Sequence, residues 1–348
     1  MKKVYLAILG LGFCMGALAQ DMHFSQSSQT PIFINPAAAG VFDGWERVII
    51  NHRNQWLGAG TQFMTTAISA DMNLGKSPLN DRAHFGLGLQ FYNDIGGDSR
   101  FGNQTGTLTL SGILPMGGTG HQLSLGVQGG LGSRKADLSN VSFMNQWDGA
   151  TSTFNPLLYS GEQNALTSFM YIDASAGLYY IYDGGKNTFS RNNDFKFKFG
   201  LAAYHVNMPK LKYISGSTDR LHRKYVGHLG FSTDFEGRPL AMESNVVQFI
   251  QGGHFETIFG LIMKYRFENA TKITGNNQDA FVGVGAYMRW GDAIIPSVII
   301  DWKGFHFGVS YDVTISQLRK AHRGGSLEFS LAYANIDHSL FKTRKRRF

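Results

Sequence analysis

The chain has 348 residues, of which 13% are aromatic and only 16% charged, against about 25% charged in an ordinary soluble domain. The formal charge of +7 sits at the two ends: Lys2 and Lys3 near the start, and Lys342, Arg344, Lys345, Arg346 and Arg347 at the close. The body between is neutral, which argues against a nucleic-acid partner. The single cysteine, Cys14, excludes a disulfide framework and a thiolate metal site.

The first element is a secretory signal over residues 1–19. Lys2 and Lys3 precede an apolar stretch from Val4 to Met15, and Ala17-Leu18-Ala19 has the small-x-small form of a cleavage site. The stretch is shorter than the ~20 residues a spanning helix requires. Phe13 stands before Cys14 where a lipidation site takes a small residue. Residues 20–44 contain Pro31 and Pro36 and few charges, and are expected either to plug a lumen or to lie on a rim.

From residue 45 onward the pattern is alternation with period two. Phe85, Leu87, Leu89 and Phe91 alternate with Gly86, Gly88 and Gln90; Phe305, Phe307, Val309, Tyr311 and Val313 alternate with His306, Gly308, Ser310 and Asp312. In a strand, alternate side chains point to opposite faces, so one face is bulky and apolar and the other small, hydroxylic or charged. With 43 glycines and no later apolar run of helical length, this predicts an all-β fold, a transmembrane antiparallel β-barrel over 45–335. Within lipid a spanning sheet has to close on itself, because every backbone polar group needs a partner. The strands are expected at 45–57, 62–73, 83–94, 103–115, 120–134, 168–182, 195–208, 223–235, 239–251, 254–268, 279–291, 293–302, 304–314 and 322–335. This count of about 14 is even, as bacterial single-chain barrels require. The longest connections, 135–167 and 209–222, follow odd strands and read as extracellular loops. Residues 336–348 form a basic tail.

Chemistry is sparse. HExxH and GxSxG spacings are absent, and Gly75-Lys76-Ser77 lacks the first glycine of a phosphate loop, Ala70 standing in its place. No catalytic residue, cofactor site or metal site is assigned, and the chain is expected not to be an enzyme. His306, Ser310 and Asp312 share one face of a strand and form a weak hydrolase candidate. A denser set runs through the first strand, where Arg47, Asn51, Arg53 and Gln55 share a face. Buried guanidiniums need carboxylate or carbonyl partners, and Asp71, Asp312 and Glu328 are the candidates for a lumen polar network. Phe143, Trp147, Phe154 and Tyr159 in the long loop, and Lys345, Arg346 and Arg347 in the tail, are candidate partner-binding residues.

The opening Gln20-Asp21-Met22-His23-Phe24-Ser25-Gln26, then Asn35-Pro36-Ala37 with Ala39-Gly40, then Arg53-Asn54-Gln55-Trp56, and near the end Tyr311-Asp312-Val313 with Gly325 and Glu328, resemble the PorP/SprF family of type IX secretion outer-membrane proteins of Bacteroidetes. Many members end Cys-Pro-Arg-Phe; this chain ends Arg344-Lys345-Arg346-Arg347-Phe348, so a role for a tail thiol does not carry over. The resemblance implies a non-enzymatic outer-membrane component of a type IX secretion and gliding system. Such a component anchors or helps export a surface adhesin, or links the machinery to the membrane. Its implied partners are outer-membrane lipids and either periplasmic ring and peptidoglycan-linked proteins or a large secreted adhesin. The alternative is a passive porin or small hydrophobic-solute transporter.

Overall fold

Fourteen strands close into one antiparallel barrel in a computed structural model. It describes residues 21–56, 63–77, 82–97, 99–117, 120–135, 141–161, 168–184, 195–212, 219–268, 280–317 and 325–336. The expected signal (1–19) and basic tail, with Lys345, Arg346 and Arg347, lie outside these residues.

The strands are β1 (Glu46–Gln55), β2 (Phe63–Leu74), β3 (His84–Gly96), β4 (Phe101–Met116) and β5 (His121–Lys135). A two-stranded hairpin, β6 (Trp147–Asp148) with β7 (Thr153–Phe154), interrupts the connection to β8 (Phe169–Asp183). The wall continues through β9 (Phe195–Tyr204), β10 (Lys224–Asp234), β11 (Leu240–Gln251), β12 (His254–Glu268), β13 (Ala280–Arg289), β14 (Ala293–Trp302), β15 (Phe305–Thr314) and β16 (Ser326–Asn335). Each barrel strand pairs with its neighbour in sequence. The seam joins β1 to β16 from Glu46↔Asn335 to Asn54↔Leu327. The start of β1 and the end of β16 therefore share one mouth, here the terminal mouth; the other is the far mouth.

The alternation decides which side faces out. Phe85, Leu89, Leu125 and Val127 point outward with more than half of their surface exposed, while Thr109, Ser111 and Glu328 point inward and are fully buried. A water-soluble protein orders these groups the other way round; an apolar exterior over a polar interior is the arrangement of a barrel in lipid. No helix among the described residues is long and apolar enough to cross a membrane.

Two expected boundaries shift. The strand expected to reach residue 208 ends at Tyr204, because His205 and Met208 take left-handed backbone (φ 55° and 46°) and Pro209 follows. The last strand begins at Ser326 rather than 322. The hairpin β6–β7 was not foreseen; it is too short to show a period. Gly252 and Gly253, both with positive φ, make the tight far-mouth turn between β11 and β12 that a two-residue hairpin demands.

Candidate functional site

The lumen is occupied by the chain's own residues 21–44. Most of the segment bonds the inner face of the wall, and Phe42–Gly44 reach the terminal mouth, where the Asp43 side chain is exposed. Its local structure is short and sequence-determined. Pro31 and Pro36 each start a single helical turn, at Pro31–Ile34 and Pro36–Ala38, where a missing N–H is harmless. Asn35 caps the second turn, its Oδ1 accepting from Ala37 N–H at 2.9 Å.

Near the far mouth the segment is held by charge. Glu328, wholly buried, accepts the backbone N–H groups of Ser25 at 2.7 Å and Gln26 at 2.8 Å. Asp312 accepts from Arg53 Nη2 at 3.0 Å, Arg289 Nη2 at 2.8 Å and Ser25 Oγ at 3.0 Å. Arg53 also donates to the His23 carbonyl at 2.8 Å. The Gln26 amide donates to Ser310 Oγ and accepts from Ser330 Oγ. Phe24 is buried edge-on against Phe33, with Tyr92 and Ala67 beneath it.

Further down, contact is made with the backbone of the segment. Tyr204 Oη donates to Ile32 O at 2.9 Å, Ser124 Oγ to Ala37 O at 2.7 Å and Ser111 Oγ to Ala39 O at 2.6 Å. Close approach is possible because glycines line this stretch of wall. A Cβ on Gly126 would stand 2.5 Å from Ala37 N, and one on its cross-strand partner Gly177 would stand 2.0 Å from Asn35 Oδ1. Small residues of Asn35-Pro36-Ala37-Ala38-Ala39 thus meet bare backbone. At the terminal mouth Asp71 accepts from Arg47 Nε and Nη2 at 2.9 and 2.8 Å and from Gly40 N–H at 2.8 Å. Lys76 Nζ donates to the carbonyls of Phe42 and Gly44.

The expected network is therefore two nodes rather than one. Arg53, Asp312 and Glu328 meet near the far mouth, and Arg47 and Asp71 near the terminal mouth. Glu328, expected to neutralise a guanidinium, instead receives backbone N–H groups. Asn51 is buried facing inward, but its Nδ2 has no hydrogen-bond partner among the described residues. Gln55 is half-buried at the end of β1. Arg289, central to the upper node, was missed. Its signal was available: a lone charge in an alternating strand has to face the lumen. His306, Ser310 and Asp312 do not assemble. His306 contacts Asp301, and at ~3.4 Å per residue His306 and Asp312 lie about 20 Å apart along β15. Among the described residues no group of three or more His, Cys, Asp or Glu is placed to hold a metal ion.

The end of the segment meets a cluster of charged groups at the far mouth, centred on His205 just past β9. Asp21 Oδ2 lies 3.0 Å from His205 Nε2 and 3.5 Å from Lys224 Nζ, and His205 Nδ1 lies 2.9 Å from Asp173. Burial opposes charge on His205, but Asp21 and Asp173 outweigh it and push its pKa up to about 9. Burial likewise opposes charge on Asp21, but Lys224 and His205 hold its carboxyl well below the usual range. The raised His205 contributes stability fully below its ordinary pKa, and this is lost as pH rises through about 9. The depressed Asp21 contributes above the ordinary carboxylate range and loses its contribution in acid. His205→Gln should remove an alkaline decline in thermal stability on the order of 3 kcal/mol, read from heat-modifiable gel mobility across pH. An unchanged alkaline limb would show that the contact contributes nothing.

Residues 17–333 match the family described as type IX secretion system membrane protein PorP/SprF. The chain belongs to the PorP/SprF family. The residues that carried the resemblance include much of the lumen segment, Asp21–Gln26 and Asn35–Gly40, and three that receive it, Arg53, Asp312 and Glu328. Like other outer-membrane barrels, this family member has distant structural likenesses. The monoaromatic hydrocarbon channel TodX (deltaS2 mutant) is 12% identical, with a TM-score of 0.44 over 89% of this chain and 94% of that one. CdiB from Acinetobacter baumannii is 8% identical, with a TM-score of 0.42 over 84% of this chain and 60% of that one. The beta domain of the Bordetella autotransporter BrkA is 10% identical, with a TM-score of 0.39 over 83% and 98%. No curated protein sequence matches the chain.

Proposed function

We propose that this type IX secretion membrane component is a non-enzymatic attachment barrel that holds or helps export a surface protein. The observation that carries the reading is the occupied lumen. An open porin needs a free path, whereas here the buried Glu328 carboxylate and Arg53 guanidinium bond the backbone of the protein's own N-terminal segment. Withdrawing that segment would strand them. A filled barrel serves as a fixed membrane anchor for proteins on either side.

The orientation follows from the connections. The two longest connections, 136–168 and 205–223, both follow odd barrel strands and are assigned here to the exterior, which puts the terminal mouth in the periplasm. On the exterior, the loop 141–161 is built around buried Gln146, whose Nε2 donates to Pro156 O and Leu158 O. It displays Met144, Trp147, Phe154, Leu157 and Tyr159 outward, with Phe143 half-buried. Displaying so much apolar surface in water is unfavourable unless a partner covers it. We assign the loop to the exported protein and the basic tail to periplasmic proteins of the machinery. Residues 1–19 act in this reading as a cleaved secretory signal.

Co-purification from detergent-extracted native membranes tests the proposal. A large surface protein or machinery components should accompany the barrel, and the pair Trp147→Ser and Tyr159→Ser should release the surface partner while leaving the barrel folded. Repeated isolation of the barrel alone contradicts the reading.

A further inference from the structure

We infer that the N-terminal segment crosses the lumen from mouth to mouth, so that its Asp21 end lies at the exterior mouth although β1 starts at the periplasmic mouth. The contacts of the segment descend the wall in order. Asp21 meets His205, which directly follows the far end of β9, Lys224 at the start of β10, and Gln251 at the end of β11, whose Oε1 accepts Asp21 N–H at 2.9 Å. His23 and Ser25 meet Arg53, Arg289 and Asp312, all within a few residues of far strand ends. Asn35 reaches mid-wall, donating to Leu178 O and Leu201 O. Gly40 and Gly44 meet Asp71 and Asn73 at the terminal end of β2. Trp45 N–H then bonds Asn335 O beside the seam, and β1 sets out back toward the far mouth.

One continuous segment thus touches both mouths. An exported protein held outside would find the Asp21 end at the same mouth as the apolar loop 141–161. The other end of the same segment, Phe42–Gly44, lies at the mouth assigned to the machinery. The usual rule places both ends of a bacterial barrel chain in the periplasm; here it holds for the strands but not for Asp21.

The exterior assignment rests on the orientation proposed above, and the test separates the two. In a Cys14→Ser background, one cysteine is introduced at a time: in a short glycine-flanked insertion between Gln20 and Asp21, as Thr151→Cys in the 141–161 loop, or as Glu236→Cys in a terminal-mouth turn. Intact cells are treated with a membrane-impermeant maleimide, then permeabilised and treated again. The insertion should react on intact cells together with Thr151→Cys, while Glu236→Cys reacts only after permeabilisation. If Thr151→Cys and Glu236→Cys exchange behaviour, the orientation is wrong, and the crossing still requires the insertion to follow Thr151→Cys. An insertion that follows Glu236→Cys, or that reacts only after denaturation, overturns the inference. Heat-modifiable mobility verifies folding of each variant, and a longer Gly-Ser extension carrying the cysteine replaces the insertion if it does not fold.

Discussion

Asp312→Ala should destabilise the barrel by about 3–5 kcal/mol, the cost of breaking a buried ion pair by removing one partner. Asp312 is 2% exposed and is shared by two guanidiniums, Arg53 at 3.0 Å and Arg289 at 2.8 Å, and by the Ser25 hydroxyl. Without it, two buried cations face each other. Glu328 cannot turn to help, because both its oxygens hold backbone N–H groups of Ser25 and Gln26. The loss should appear as a lower urea midpoint in heat-modifiability assays, with faster protease cleavage within residues 21–30. Asp312→Asn keeps the shape but not the charge and should lose most of the same stability. A variant as stable as the parent would mean that water already screens the node.

The second large effect is on conductance. Gly126 and Gly177 pair across β5 and β8 and form a bare platform beneath Asn35–Ala37. Replacing both with leucine places side chains where the segment's backbone and the Asn35 amide now lie. Both glycines face the lumen, so the strand ladder and lipid-facing surface are unchanged. The segment should be pushed out while the barrel survives, and the purified double variant should show conductance steps in planar bilayers that the parent lacks. Silence from a folded double variant would mean that the lumen closes by other contacts.

The strands were legible because lipid on one side and a polar lumen on the other enforce a strict period of two, visible over ten or more residues in β3, β4, β15 and β16. Arg47 and Asp71 were also readable, since adjacent strands place them directly opposite. The lumen occupant was legible only as one of two placements, a plug or a rim, and its contacts were not legible at all. Residues 21–44 have no period, and their receptors come together only when the barrel closes: Ser25 meets Glu328 across 303 positions of sequence. Arg289 bonds Ser25 and Asp312, which stand on other segments and meet it only in the closed barrel. The contacts of His205, just past β9, with Asp21 and Asp173 join residues that no local pattern connects.

A filled anchor passes no ions, whereas a pore does. Single-channel recording of the unmodified, detergent-purified protein should show a quiet bilayer over the usual voltage range; steady, reproducible open steps from the parent protein would mean that the barrel is a pore.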